Sequence, residues 1–417
     1  DKNDPDSAVS AALLEIIARK EKGAEVKPAS LVALGLLGNG NVVPDLLYML
    51  ENGKADASKV ESVKVADDLS DVELAFVVQA LGKIGAPGTD KPGEEMAVVE
   101  ALTAVISPKK SNKADKNVRR SAAIALGQLA PQCSTEQQAK IVDMFKKCAL
   151  ETGNDASQRN FAAIAIGRIG STPGVEAKTR DEAISTLKFL MNKAKPKDIC
   201  QPFAAIGLGL IANSVRDAGT PLEDSINKPL REKFAETKAA RPRGAYAIAL
   251  GLAGDKLATK ELVKVLEDKG DAKLRGYAAV ALGLIRAEEG FVAIKKALTT
   301  ETDRDLRVQT AVAAGLIGDA KVIATLVEII ESGEESQYIL GSVALALGQI
   351  GDDRSIEPLV KIASDKEDNF PDLTRALATV ALGQIGDRRD VPVLSRVARD
   401  FNYRAHVSSL AELLTIL

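Results

Sequence analysis

The sequence predicts an all-α fold, a right-handed α-solenoid superhelix of about ten stacked helix pairs, on three observations. An apolar phrase of the form A-L-G-x-I-G occurs ten times, from Ala33–Gly38 (ALGLLG) and Ala80–Gly85 (ALGKIG) to Ala346–Gly351 and Ala381–Gly386 (both ALGQIG). Its first glycine falls at residues 35, 82, 127, 167, 209, 251, 283, 315, 348 and 383, in steps of 32 to 47 residues. The copies run through nearly the whole 417-residue chain. Units of that period bury their apolar faces only against their neighbours, which overrides the length prior of two or three globular domains. A single solenoid over 1–417 is expected, with an N-terminal cap helix in 1–22, repeats in 23–400 and a C-terminal cap helix in 401–417.

Ser7 to Lys20 reads as the amphipathic opening helix, with Ser7 as its cap. Each phrase then lies in the first helix of a unit. With the first glycine as position 0, position −2 is Ala in nine copies and Gly207 in the other, while −1 and +2 are always Leu, Ile or Ala. Spacings of three and four set these residues on one stripe. A helical glycine costs about 1 kcal/mol relative to Ala, so ten cost on the order of 10 kcal/mol. Close backbone approach to the next unit recovers that cost, with small residues at −4 (Ala123, Ala163, Ala205, Ala247, Ala279, Ala311, Ala344) one turn before the glycine.

The second glycine, at +3 in seven copies, is placed to end the helix with a left-handed residue. Asp255, Asp319, Asp352 and Asp387 follow as N-caps of a second helix. That helix carries its own stripe (Leu262, Val263, Leu266; Leu326, Val327, Ile330; Leu359, Val360, Ile362). Pro44, Pro358 and Pro392 stand in its first turn, where a missing N–H does no harm. Ahead of the phrase an Asp-x-x-x-Arg signature recurs at Asp115 and Arg119, Asp155 and Arg159, Asp271 and Arg275, Asp303 and Arg307, and Asp400 and Arg404, with Arg243, Arg375 and Lys27 at the Arg position. The Asp caps the first helix, and the Arg pairs with it or with the Asp of the adjacent unit. Arg404 to Leu417 restarts the repeat with Glu412 in place of the glycine, as a terminal cap. Extra residues at 51–70, 86–95, 107–117, 171–181 and 213–227 lengthen the first half, either as binding loops or as passive length variation. The basic run Lys109 to Arg120 reads as a solvated loop in preference to an anion site.

Composition narrows the function. Only 3% of residues are aromatic and Trp is absent, which leaves little material for aromatic ligand cages. A net charge of −3 argues against nucleic acid, which demands a basic footprint. No apolar run approaches the roughly 20 residues that cross a bilayer, so no membrane insertion is expected. Cys133, Cys148 and Cys200 are read as thiols, since Cys133 and Cys148 bracket one helix and stand roughly 20 Å apart. His406 is the only histidine, which excludes histidine-rich metal sites, and its place in the cap helix makes it a surface residue in preference to a catalyst. Gly-rich phosphate loops are missing, because the recurring glycines fall late in helices. No cofactor is expected. The polar, acidic start at Asp1 fits a mature exported protein, periplasmic or cell-surface, which is favoured over a cytoplasmic one.

The D-x-x-x-R…A-L-G-x-I-G-D pattern resembles the HEAT repeat family, in particular the bacterial HEAT-like repeats of phycobilisome lyases. The resemblance covers nearly the whole chain and implies a solenoid whose glycine-bearing helices line the concave face. It is unspecific for function, because the family hosts scaffolds, adaptors, transport factors and a few enzymes. The His-Glu pairs of the iron-binding HEAT-repeat hydroxylases have no counterpart here.

Position +1 changes character along the array: Lys83, Gln128 and Arg168, then Leu210, Leu252, Leu284 and Leu316, then Gln349 and Gln384. A position that accepts Lys, Arg and Gln is exposed, so four successive leucines make an apolar stripe, to which position −6 adds Phe203 and Tyr277. These six residues form the expected protein-binding site, a groove for an apolar or amphipathic segment of a partner. The opposing reading is that curvature buries the column between repeats. The expected function is a non-catalytic scaffold or adaptor that binds a protein partner on the concave face. The alternative is a phycobilin-lyase-like subunit that handles a tetrapyrrole.

Overall fold

A computed structural model describes residues 5–20, 25–59, 64–85, 92–106, 114–150, 156–193, 200–217, 222–333 and 335–387. The chain divides into two compact units, Asp1–Ser214 and Val215–Leu417. The first contains α1 (Pro5–Ala18), α2 (Val26–Leu37), α3 (Val43–Asn52), α4 (Asp71–Ile84), α5 (Pro92–Ile106), α6 (Lys116–Leu129), α7 (Thr135–Leu150), α8 (Ala156–Gly170), α9 (Ala177–Lys193) and α10 (Cys200–Asp217), which runs just past the boundary. The second contains α11 (Lys228–Glu236), α12 (Ala240–Ala253), α13 (Thr259–Glu267), α14 (Ala272–Ile285), α15 (Phe291–Thr300), α16 (Arg304–Ile317), α17 (Ile323–Ser332), α18 (Gln337–Ile350), α19 (Ile356–Ala363) and α20 (Asp372–Asp387). Among the described residues the only β pairing is an isolated bridge between Lys54 and Asp68. The fold is an all-α solenoid of helix pairs. Every even-numbered helix carries one phrase glycine, and the odd-numbered helices α3 to α19 are the second helices.

Each unit is built on one interlock. Even helices pack along one another, α2 through α8 in the first unit and α12 through α20 in the second, whereas the odd helices touch only lightly. A Cβ added at Gly82 would stand 2.6 Å from Ala125 Cα, one at Gly251 2.8 Å from Ala281 Cα, and one at Gly348 2.6 Å from Ala381 Cα. Gly35 meets Ala80, Gly127 meets Ala165, Gly167 meets Gly207, Gly283 meets Ala313 and Gly315 meets Ala346 in the same register. The glycine at 0 therefore seats against the small residue at −2 of the following repeat. This corrects the expectation that the −4 alanines are its counterpart: Ala123, Ala163, Ala205, Ala247, Ala279, Ala311 and Ala344 are fully buried, and −4 serves the core. Backbones that close gain dispersion contacts along the whole seam, which offsets the helical cost of glycine.

The turns differ from expectation in two ways. Five second glycines adopt positive φ, as Gly254 (64°) and Gly318 (72°) do, and Arg286 takes that role at 55°, but Gly170 and Gly386 stay helical. Asp255, Asp319 and Asp352 do cap, but what they cap is a single 3-10 turn ahead of the second helix, through the N–H groups of Leu257, Lys321 and Arg354. The second-helix stripe is buried at Leu262, Leu266, Leu326, Ile330, Leu359 and Ile362, while Val360 is exposed. Pro44 stands in the first turn of α3 as expected. Ser7 lies inside α1, which begins at Pro5, so it is not the cap. The three cysteines are buried thiols outside any disulfide.

The Asp of the signature caps as expected at Asp115, Asp271 and Asp303, accepting from the N–H groups of Asn117, Leu274 and Leu306. Among the described residues no ion pair joins Arg275 to Asp271 or Arg307 to Asp303. Instead Nε of Arg159, Arg243, Arg275 and Arg307 donates to the carbonyls of Ala149, Phe234, Leu266 and Leu298 at 2.9 to 3.1 Å. Each carbonyl belongs to the last turn of the preceding second helix, where intrahelical donors run out. The guanidinium then reaches forward: Arg275 forks onto Glu301 at 2.5 and 3.2 Å, and Arg307 meets Glu335 at 2.7 Å. Lys27, almost fully buried, pairs with Asp67 at 3.0 Å and so ties the 51–70 insertion to α2. Lys109, Lys110, Lys113, Asp155, Pro392, Asp400, Arg404, His406, Glu412 and the 401–417 cap helix lie outside the described residues.

The Arg275 hydrogen bonds hold the Glu301 carboxyl below its ordinary value. A carboxylate depressed in the folded state adds stability above the unfolded glutamate value of about 4.3 and loses it as pH falls through the folded one. Thermal melting of Glu301→Gln is expected to show a lower Tm than the parent at pH 7, with the gap closing below pH ~4. A gap independent of pH contradicts the pairing.

Candidate functional site

Helical period places positions −7, −6, −3 and +1 of each even helix on one stripe. In the first unit this stripe holds Phe203 and Leu210 on α10, and in the second Leu252 on α12, Tyr277 and Leu284 on α14, and Leu316 on α16. All six are partly exposed. Leucine at +1 also has a packing role: a Cβ on Gly251 would lie 3.1 Å from Leu284 Cδ1, and one on Gly283 3.0 Å from Leu316 Cβ. Lys83, Arg168, Gln349 and Gln384 lean in the same way over Gly35, Gly127, Gly315 and Gly348. The column therefore covers the glycine seam with its stems and keeps one flank in solvent, which is why Lys and Arg can share the position with Leu. Beneath it, position −3 supplies the buried Ile164, Ile206, Ile248 and Val280.

A second seam runs between −7 and the −6 side chain of the next repeat. Where −7 is glycine, its missing side chain is replaced: the Tyr277 ring lies on Gly244, Gln309 on Gly276 and Leu377 on Gly341. In the first unit −7 is Arg120 on α6 and Asn160 on α8, and there the face opens. A pocket of about 420 Å³ is lined by Asn117, Arg120, Ser121, Ile124, Ser157, Asn160, Phe161 and Phe203. It lies over the N-terminal halves of α6, α8 and α10. Asn160 is 3% exposed, and its Oδ1 is buried without a hydrogen-bond partner. Arg120 donates to Asn117 Oδ1 at 3.3 Å. Below the pocket on α8, burial lowers the pKa of the Arg168 guanidinium from its usual value.

Of the six expected residues, Phe203 alone enters this pocket. Phe161, Ile124, Arg120 and Asn160 were not among the expected set. Phe161 occupies the same −6 position as Phe203 and Tyr277, so the signal was present one repeat upstream of the leucine stripe. Among the described residues no three His, Cys, Asp or Glu side chains gather as a metal-binding group, and no helix is long and apolar enough to cross a membrane.

The sequence model of the HEAT repeats family matches residues 259–337, 292–371 and 333–412. No curated protein matches. Among solved structures, the Escherichia coli protein YibA is 15% identical with a TM-score of 0.40, over 69% of this chain and 92% of that one. The karyopherin Kap121p, bound to the extreme C-terminus of the protein phosphatase Cdc14p, is 15% identical with a TM-score of 0.48, over 95% of this chain and 44% of that one. Human deoxyhypusine hydroxylase is 17% identical with a TM-score of 0.30, over 91% of this chain and 96% of that one.

Proposed function

We propose that the protein is a non-catalytic scaffold or adaptor that holds a protein partner on the stripe of its even helices, a reading supported by the match of residues 259–412 to the HEAT repeats family. The observation that carries this reading is the half-exposed leucine column Leu252, Leu284 and Leu316, with Tyr277 beside it, in the second unit. An apolar column at one fixed register offers a partner helix or strand successive anchor points. Even helices that pack more closely than odd ones incline each stack toward the even layer, which supports a concave placement of the stripe. In the first unit Phe203 and Leu210 hold the same repeat positions.

The reading is tested with a photo-crosslinking amino acid at Leu284 in living cells, and at Val292 on the odd layer, which is 73% exposed. Discrete protein adducts are expected from 284 and none from 292. With the crosslinker moved to Leu316, Leu284→Lys is expected to abolish the adduct while Tm shifts little, since Lys83 fills the same position in another repeat. Equal adducts at 284 and 292, or none at 284, contradict the proposal.

A further inference from the structure

We propose that the pocket over α6, α8 and α10 in the first unit binds an acidic segment of a partner protein through one aromatic anchor residue. The inference rests on the scaffold reading and gives it a partner chemistry. Phe161, Phe203 and Ile124 offer an apolar cradle for a ring, and aromatic pairs favour offset or edge-on contact beyond the area they bury. At 420 Å³ the cavity holds more than one ring, and it is open on one side, as an anchor on a continuous chain requires.

The sign of the partner follows from the rim. The pocket's one charged lining residue is Arg120, and no carboxylate lines it among the described residues. The nearest acid along α6, Asp115, already accepts the Asn117 N–H at 2.7 Å as helix cap. On the same stripe the remaining charges of the first unit are Lys83 and Arg168, both cationic. Helix N-termini carry positive partial charge, and those of α8 and α10 flank the cavity beside the Asp115-capped start of α6. In a chain of net charge −3 the described residues of this rim are inverted in sign, and they complement carboxylates placed before and after the anchor.

Asn160 supplies the polar contact. A buried amide oxygen without a partner is destabilising, and a rotation about χ2 presents it to a backbone N–H of the bound segment. An aromatic −6 residue meets a polar −7 residue of the helix before it only at Phe161 with Arg120 and Phe203 with Asn160 among the described repeats, and both pairs line this pocket.

The test is fluorescence anisotropy on the full chain with a labelled short peptide that has one central phenylalanine and glutamates on both sides. Saturable binding is expected, weakening with salt, and at least tenfold weaker when the phenylalanine is replaced by serine or the glutamates by lysines. Arg120→Gln, with its fold checked by circular dichroism, is expected to lose at least tenfold in affinity. Asn160→Leu removes the unpartnered amide, so it is expected to raise Tm and yet weaken the peptide, a split that a purely structural asparagine does not give. Equal binding of the lysine peptide, unchanged binding by Arg120→Gln, or 3-phenylpropionate binding as tightly as the peptide overturns the proposal, the last by assigning the pocket to a small aromatic acid. Crosslinks from residue 284 without peptide binding overturn this inference alone and leave the scaffold reading intact.

Discussion

The seat of eight phrase glycines, four in each unit, on the small −2 residue of the next repeat is the constraint from which the rest of the structure follows. Two helices can bring their backbones this close only where neither carries a side chain larger than a methyl at the crossing. Because the contact recurs at the same register, it sets which residue of each even helix faces which residue of the next. Position +1 then has to lean over the glycine before it, position −3 is drawn beneath that cover, and −6 is left to fill the space above −7. Odd helices have no such seam and stay further apart. A tight layer and a loose layer within each unit are thus consequences of one residue choice, repeated at four seats in each.

Continuity between repeats depends on a different device. In α8, α12, α14 and α16 the arginine ahead of the phrase closes the carbonyl end of the helix behind it and, in α14 and α16, reaches to a glutamate ahead. One side chain therefore links three consecutive segments, which an ion pair confined to its own helix does not do. The −7 and −6 seam is where this regularity is broken. Glycine at −7 in α12, α14 and α18 lets the next side chain settle inward. Arginine and asparagine at that position in α6 and α8 hold the seam open. Where these two polar side chains replace glycine, the pocket over α6, α8 and α10 marks a place where packing has been given up for something else.

Fold class, the ten even helices and the use of glycine for close approach were all legible in the sequence, because periodicity within a helix reports which residues share a stripe. The partner of that stripe was not, since intra-helix spacing says nothing about the offset between neighbours: −4 and −2 are both small, and only the stacking geometry selects −2. The aspartates at 255, 319 and 352 could be read as caps, but a single 3-10 turn has no period and left no trace. The arginine signature suffered from the same blindness, since its partners lie nine or ten residues back on a helix that curls away and more than twenty residues ahead. At the site, Leu252, Leu284 and Leu316 were legible through the contrast between Leu and Lys at one position. Phe161 and Asn160 were not, because their meaning lies in a vacancy between adjacent repeats, and a vacancy has no letter.

The most direct measurement of the central claim is the thermal stability of a series of single substitutions, Gly35→Ala, Gly82→Ala, Gly127→Ala, Gly283→Ala and Gly348→Ala. A new methyl would stand 2.5 to 2.7 Å from Ala125 or Ala381 at Gly82 and Gly348, 3.0 Å from Ala313 at Gly283, 3.2 Å from Ala80 at Gly35 and 3.4 Å from Ala165 at Gly127. The interlock predicts losses in that order, about 1–3 kcal/mol at the tightest seats, passing to no loss or a gain at Gly127, where helix propensity alone acts. A uniform gain at all five positions, the behaviour of glycines that face no neighbour, would contradict it.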